Sequence, residues 1–160
     1  MPLRTATPTD VPALTTLIND AYVVERFFKR GDRITEDGVR DLQGKGAFLL
    51  LDEDDQLAGA VYVELRGPSG YIGLLSVSPR HQRRGFGRVL MDAAEEYSRA
   101  NGAILTELRV VNLREDLPPF YRKLGYADAG TEPFADPSEA TRPCHFVRMT
   151  KPLTPPRVGS

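Results

Sequence analysis

The segment that most constrains the fold is Leu75 to Arg88, LSVSPRHQRRGFGR. An apolar run ends at Val77, a loop carrying Arg80, Arg83 and Arg84 follows, and Gly85 and Gly87 open the strongest helical pattern in the chain. Val89, Leu90, Ala93, Ala94 and Tyr97 recur at helical spacing, and Gly102 follows the end as a stop. A strand that turns through glycines into a long helix leaves the helix's first N–H groups without partners, where the macrodipole adds positive potential. Glycines let that backbone approach an anion closely, and Arg83, Arg84 and Arg88 add charge, so the segment reads as an anion seat. It is not a dinucleotide fingerprint, because the third glycine would fall at Leu90. Nor is it a Walker loop, which needs Gly-Lys followed by Ser or Thr. The plainer alternative is a tight turn with solvated arginines.

Around this segment, strand and helix patterns alternate. Leu3 to Ala6 reads as a short strand, and Asp10 as the cap of a helix carrying Val11, Leu14, Leu17, Ile18 and Ala21 at helical spacing. Residues 22–33 mix aromatics with both charge signs and read as a helix end plus a loop. Thr35 caps a short helix through Leu42. Ala47 to Leu51, Ala58 to Leu65 and Tyr71 to Val77 are strands, separated by turns at Glu53-Asp54-Asp55 and Gly67-Pro68-Ser69-Gly70. Ile104 to Val111 is a strand, and Leu117 to Leu124 a helix that accommodates Pro118 and Pro119 in its first turn. Tyr126 to Gly130 and Cys144 to Thr150 are the closing strands. The order β-α-α-β-β-β-α-β-α-β-β predicts a single α/β domain over residues 1–153, a mixed and mostly antiparallel sheet flanked by helices. The Pro-rich end, Lys151 to Arg157, reads as a tail leaving the fold, with residues 154–160 outside the domain.

A chain of 160 residues buries roughly 68–70% of the surface its unfolded form exposes, so it needs no metal or disulfide staple. Lysine plus arginine number 21 and aspartate plus glutamate 22, a net charge of -1, which excludes bulk attraction to nucleic acid or membrane. Cys144 is the single cysteine, and His81 and His145 are the two histidines, which speaks against a disulfide and against a Cys- or His-rich metal centre. The first residues carry no apolar leader, and the longest uncharged run, Gly67 to Pro79, has 13 residues broken by three glycines and two prolines. That is too short to span a bilayer, and a cytoplasmic location is the expectation.

Gln82-Arg83-Arg84-Gly85-Phe86-Gly87 resembles the Gln/Arg-x-x-Gly-x-Gly/Ala motif of the GNAT superfamily of N-acetyltransferases. Leu75-x-Val77-x-Pro79 is similar to that family's lead-in. Leu108-x-Val110 and Phe120-Tyr121-Arg122-Lys123-Leu124-Gly125-Tyr126 are similar to its second signature. Two motifs in this order are far more specific than either alone. The resemblance implies a GNAT-like fold whose sheet splits after Val77, following the fourth strand, with acetyl-CoA as co-substrate in the split and no metal. It implies that the pantetheine runs along Leu75, Ser76 and Val77, pairing with the backbone of Leu75 and Val77 as an added strand. The pyrophosphate would sit on the N–H groups of Arg83 to Arg88, next to Gln82.

For Tyr121 the resemblance implies a general acid to the departing thiolate. Seven residues before that tyrosine the family often has an asparagine that contacts the cofactor. Arg114 stands there in this chain, with Asn112 nearby, and both are candidates for that contact. Where some members carry a glutamate base, this chain has Tyr71, so the base is open between Glu64, Glu25 and bulk water. Glu64 shares a strand face with Tyr62. Glu25 lies in the segment that in the resembling family forms part of the acceptor site. His145 and Cys144 read as strand residues, not catalysts.

The expected activity is transfer of acetyl from acetyl-CoA to a primary amine of a small molecule or peptide, by direct attack in a ternary complex. The alternatives are a non-catalytic acyl-CoA-binding or regulatory module, favoured by Tyr71 and opposed by Tyr121, and a nucleotide binder. The basic excess of residues 22–33 favours a weakly acidic acceptor, such as an amino acid, over a polybasic peptide. Family members are often dimers, so a homodimer is expected to be possible, with the last strands as pairing edges.

Overall fold

The computed structural model describes residues 3–134 and 137–154. The elements form in the predicted order. β1 (Leu3–Thr5) leads into α1 (Val11–Ala21), which buries Val11, Leu14, Leu17 and Ile18. A 3₁₀ segment over Val23–Phe27 precedes α2 (Glu36–Gln43), where the Thr35 hydroxyl accepts from the Gly38 N–H as an N-cap. β2 (Ala47–Glu53) and β3 (Gln56–Arg66) form a hairpin, with Asp54 and Asp55 both left-handed as a tight two-residue turn requires. β4 (Ser69–Val77), α3 (Phe86–Ala100), β5 (Leu105–Val111), α4 (Leu117–Lys123), β6 (Ala127–Pro133) and β7 (His145–Pro152) complete the chain.

The strand order is β1-β2-β3-β4-β5-β7-β6, and only β4 and β5 run parallel. β7 lies between β5 and β6, so of the last two strands only β6 is an edge. β7 also runs further than the sequence suggests. Lys151 pairs with Thr106, its ammonium holds Glu95 at 2.7 Å, and the Leu153 N–H donates to the Ile104 carbonyl. Lys151 to Leu153 are therefore bound to the sheet and are not tail, because their backbone and side-chain groups have partners there. The predicted tail beyond Thr154 lies outside the described residues.

Apolar side chains pack on both faces of the sheet. α1 and α2 cover Phe48, Leu50, Ala60 and Tyr62 on one face. α3 and α4 cover Leu51, Val61, Val63 and Ile72 on the other, through Leu90, Met91 and Tyr121. Each large apolar side chain so buried contributes about 1.5–3 kcal/mol, which fixes the sheet as the frame of the site.

The frame is forked. β4 and β5 pair only at Ser69–Leu105, Gly70–Thr106 and Tyr71–Glu107. The cause lies in β4. Between the Tyr62–Gly73 and Ala60–Ser76 pairs β4 carries one residue more than β3, and Leu74 has a φ of 53°. This bulge breaks the side-chain alternation, so Ile72 and Leu75 both face the α3 side while Leu74 faces α1. A bulge bends its strand and sharpens the twist, which carries the rest of β4 away from β5. The split therefore opens past Tyr71 rather than after Val77, and Ile72 to Val77 run along it beyond the last β5 pair.

Candidate active site

A cavity of about 250 Å³ fills the fork. Ile72 to Leu75 line one wall and Leu108 to Val111 the other, with Tyr121 of α4 between them in the lining. Tyr22, Glu25, Lys29 and Arg33 enter from the segment after α1. Tyr71 stands at the crotch as a wedge. Arg66 from β3 lies 4.0 Å from its ring centroid and Arg109 from β5 lies 5.2 Å from it, one cation from each arm of the fork.

Tyr121 is buried against the edges of Phe120 and Tyr126, at ring separations of 5.1 and 6.0 Å. Its hydroxyl has no hydrogen-bond partner among the described residues. Burial pushes its pKa well above the usual tyrosine range, so the group stays in its donor form at any pH at which an amine reacts. Burial also pushes the Tyr22 hydroxyl up to about 12.

Glu25 is only 6% exposed. Its carboxylate accepts from Arg114 at 2.8 Å, and the other side of that guanidinium holds Asp116 in two hydrogen bonds of 3.0 Å. Desolvation raises the Glu25 pKa above the ordinary carboxylate range, with Arg114, Arg33 and Lys29 pulling it part of the way back. The residue at the expected asparagine position is thus committed to a bridge between the 3₁₀ segment and the β5–α4 loop. Asn112 is partly engaged: its side-chain oxygen accepts from the His145 N–H at 2.8 Å, tying β5 to β7, while its amide NH2 has no partner among the described residues. Of these two candidates, Arg114 is the one held by acids on both sides.

Glu64 is outside the cavity lining. Its carboxylate accepts from the Tyr62 hydroxyl at 2.6 Å and pairs with Arg66. Desolvation works against its charged form, but those hydrogen bonds outweigh it and hold the carboxyl below the usual range. Of the two carboxylates singled out in the sequence, the fold brings only Glu25 into the cavity with Tyr121.

At the other end of the fork, the Ser78 N–H donates to the Ala58 carbonyl and Ser76 pairs with Ala60. By strand alternation Leu75 and Val77 then turn their N–H and C=O groups to the open edge. The Val77 carbonyl is met there by the Gln82 amide at 3.4 Å. The Ser76 hydroxyl is buried and donates to the Leu74 carbonyl. In the loop that follows, Arg83 has φ 66° and Gly85 has φ 80°, and left-handed residues alternating with ordinary ones turn successive N–H groups to one side. α3 then starts with no side-chain cap. Gly87 brings its first turn against Phe120, whose ring would lie 3.3 Å from any added Cβ. Phe86 is core, and the Arg84 guanidinium forks onto Glu53 at 2.7 and 3.0 Å. The side chains of Arg83 and Arg88 stay exposed. The Arg84 side chain therefore braces the loop, and what the loop offers an anion is backbone plus Arg83 and Arg88.

Nothing in the residue pattern announces that Tyr22, Arg33, Tyr71 and Arg109 share one cavity. The one hint was the mixed aromatic and charged character of residues 22–33. Among the described residues no group of three or more His, Cys, Asp or Glu side chains is placed to hold a metal ion, and no helix is long and apolar enough to cross a membrane.

Comparison with known proteins points the same way. The sequence model of the acetyltransferase (GNAT) family matches residues 11–126. Streptothricin acetyltransferase of Streptomyces lavendulae is 29% identical over 139 residues, 83% of this chain and 72% of that protein. Among solved structures, an aminoglycoside 6'-N-acetyltransferase complexed with coenzyme A superposes with a TM-score of 0.77 at 19% identity, over 98% of this chain and 99% of that one. A ribosomal-protein-alanine N-acetyltransferase from Brucella melitensis gives 0.74 at 20% identity, over 96% and 100%.

Proposed function

The chain belongs to the acetyltransferase (GNAT) family, and on that premise we propose that it acetylates the primary amine of a small molecule, with Tyr121 as proton donor and Glu25 as base. It is an acetyl-CoA-dependent N-acetyltransferase at the family level. The observation that carries the finer reading is the fork itself. One cavity holds the hydroxyl of a buried tyrosine ring with no hydrogen-bond partner among the described residues, a desolvated carboxylate and the open edge of a strand, next to a helix start without a side-chain cap.

The chemistry follows from those groups. Acetyl-CoA lies along the open edge of β4, its diphosphate on the loop from Arg83 to Arg88. N–H groups of the β4 edge polarise the thioester carbonyl. An ammonium acceptor first gives one proton to solvent, directly or by way of Glu25, which passes it on and is a carboxylate again, and the amine becomes nucleophilic. Its nitrogen attacks the carbonyl carbon, the C–N bond forms and the C–S bond breaks. The sulfur takes a proton from Tyr121, the nitrogen gives one up to Glu25, and that proton returns through solvent to Tyr121. Holding amine and thioester in one cavity supplies much of the rate by positioning.

A small acceptor is favoured by the cavity's size, which is below the about 300–1,000 Å³ of pockets for drug-sized ligands. The cavity is also strapped at its outer end. The Arg30 N–H donates to the Glu139 carbonyl at 2.9 Å and the Thr141 N–H to the Phe28 carbonyl at 2.8 Å. A thermal melt with saturating acetyl-CoA, with ATP as control, followed by CoA release on an amine panel tests the proposal. A hundredfold excess over Kd stabilises by about 2.7 kcal/mol, or about 5–10 °C for a domain of this size. No shift with acetyl-CoA, or a shift with ATP alone, would overturn it.

A further inference from the structure

The charges in the cavity wall do not all cancel. Lys29 lies 3.4 Å from Glu139, and Arg109 lies 3.2 Å from Glu132. Arg33 also lines the cavity and is half-buried, yet no carboxylate pairs with it among the described residues. Its neighbour Asp32 is taken by Arg26 at 3.0 Å. Arg33 acts on Glu25 through space, but that carboxylate is hydrogen-bonded to Arg114, so the Arg33 fork itself holds no acid among the described residues.

Arg33 is also held in place. Its guanidinium lies 5.4 Å from the Tyr22 ring centroid. The side-chain amide of Asn19, on α1, grips the backbone of the next residue from both sides, donating to the Ile34 carbonyl at 2.9 Å and accepting from the Ile34 N–H at 3.0 Å. A planar fork fixed by stacking and by a clamped backbone loses little freedom when it meets a carboxylate. The opposite charge, Glu25, lines the same cavity together with Tyr121, and the Arg114 that pairs with Glu25 is shared with Asp116 outside the lining.

We propose that the acceptor is a zwitterion, an amine with a carboxylate close by, and that Arg33 is the specificity-determining residue that binds the carboxylate while the amine faces Glu25 and Tyr121. A free α-amino acid is the simplest member of that class. This rests on the acetyltransferase reading above. A side-chain lysine of a folded protein lacks the adjacent carboxylate, and an oligoamine would meet Arg33 as a like charge.

The test compares CoA release from free amino acids, their α-carboxamides and simple diamines, at a pH below the amine pKa values, where the diamines stay charged, with rates expressed per neutral amine. The wild type is expected to prefer acid over amide by about tenfold to a hundredfold in kcat/KM, the range of a charge-assisted pair. Arg33→Gln should bring that ratio near one, through loss of the acid alone, with KM for acetyl-CoA unchanged. Arg33→Lys should keep part of the preference, and it carries the test if the glutamine variant fails to show the wild-type melt. Amides or diamines used as well as acids, or a preference that survives Arg33→Gln, overturn the inference and leave the acetyltransferase reading standing. Absence of both turnover and an acetyl-CoA melt shift defeats that reading, and the inference falls with it.

Discussion

At the end of the fork next to α3, the groups on offer are backbone: the open edge of β4 and the N–H groups of a loop bent by Arg83 and Gly85. At the end next to α1 they are side chains, Tyr22, Glu25 and Arg33, held by partners far away in sequence. Arg114 reaches Glu25 across 89 residues, and the Thr141 hydroxyl reaches the Phe27 carbonyl across 114. The two ends therefore answer to different constraints. The first needs a local conformation and tolerates many side chains. The second needs particular side chains and depends on the whole fold to bring them together. An acceptor site built in the second way can change its substrate without disturbing the acetyl-CoA end.

Tyr121 belongs to neither end, and removing its hydroxyl should have the largest effect. Tyr121→Phe is expected to lower kcat by about 10²–10⁴-fold with KM for acetyl-CoA nearly unchanged. The hydroxyl has no hydrogen-bond partner to lose among the described residues, so the melting temperature should hold. A variant with wild-type kcat would remove Tyr121 from the chemistry. Glu25→Gln tests the side-chain end and should cost about a hundredfold in kcat/KM. The pH dependence gives it a sign. Glu25 has a folded pKa above its unfolded one, so wild-type activity should rise with pH through a limb above the ordinary carboxylate range, and the variant should lack that limb. For the same reason this group's contribution to stability is lost as pH rises through its folded pKa, a loss glutamine does not share. A wild-type limb retained in Glu25→Gln would assign the base elsewhere.

The same contrast explains what could be read in the sequence. Gly85, Gly87 and the apolar face from Val89 to Tyr97 announce the loop and helix because their cause is local, in turn geometry and helical period. The bulge at Leu74 was not legible, since a leucine at φ 53° carries no residue-type signal, and so the fork was expected several residues too late. The insertion of β7 between β5 and β6 is a topological fact that no periodicity records. Glu64 and Glu25 were equivalent candidates on paper. Only packing separates them, by giving one to Tyr62 and Arg66 and the other to the cavity. Arg114 matched an asparagine position in sequence while its side chain serves Glu25.

A change confined to the backbone-built end should act on one substrate alone. Gly85→Ala places a Cβ on a residue at φ 80°, where nothing crowds it but the left-handed conformation itself costs about 1–2 kcal/mol. The loop should relax away from its anion-binding shape. KM for acetyl-CoA is expected to rise about tenfold, with kcat and the acceptor KM close to wild type, as initial rates over both substrates would show. An acceptor KM that rises in step would mean that the two ends are coupled.

The smallest expected effect concerns the brace behind that loop. Glu53 takes both ends of the Arg84 fork, and the buried His81 ring lies 3.7 Å from it and stacks on Phe86. Glu53→Gln would weaken the fork and free a guanidinium beside the anion seat, and these consequences push in opposite directions. A loosened loop raises KM for acetyl-CoA, whereas a freed cation would lower it by attracting the diphosphate. Exposed ion pairs are worth about 0.2–1 kcal/mol, so the first effect is at most about fivefold, and the second fades as salt screens it. The geometry favours the first, because Arg84 sits between the two left-handed residues whose conformation shapes the seat. KM for acetyl-CoA should therefore rise two- to fivefold (about 0.4–1 kcal/mol) at high salt, where the loop's shape is read without the added charge. A fall in KM that persists at high salt would show that Arg84 serves the anion better free than tied, and that this end of the cavity, too, is built from side chains.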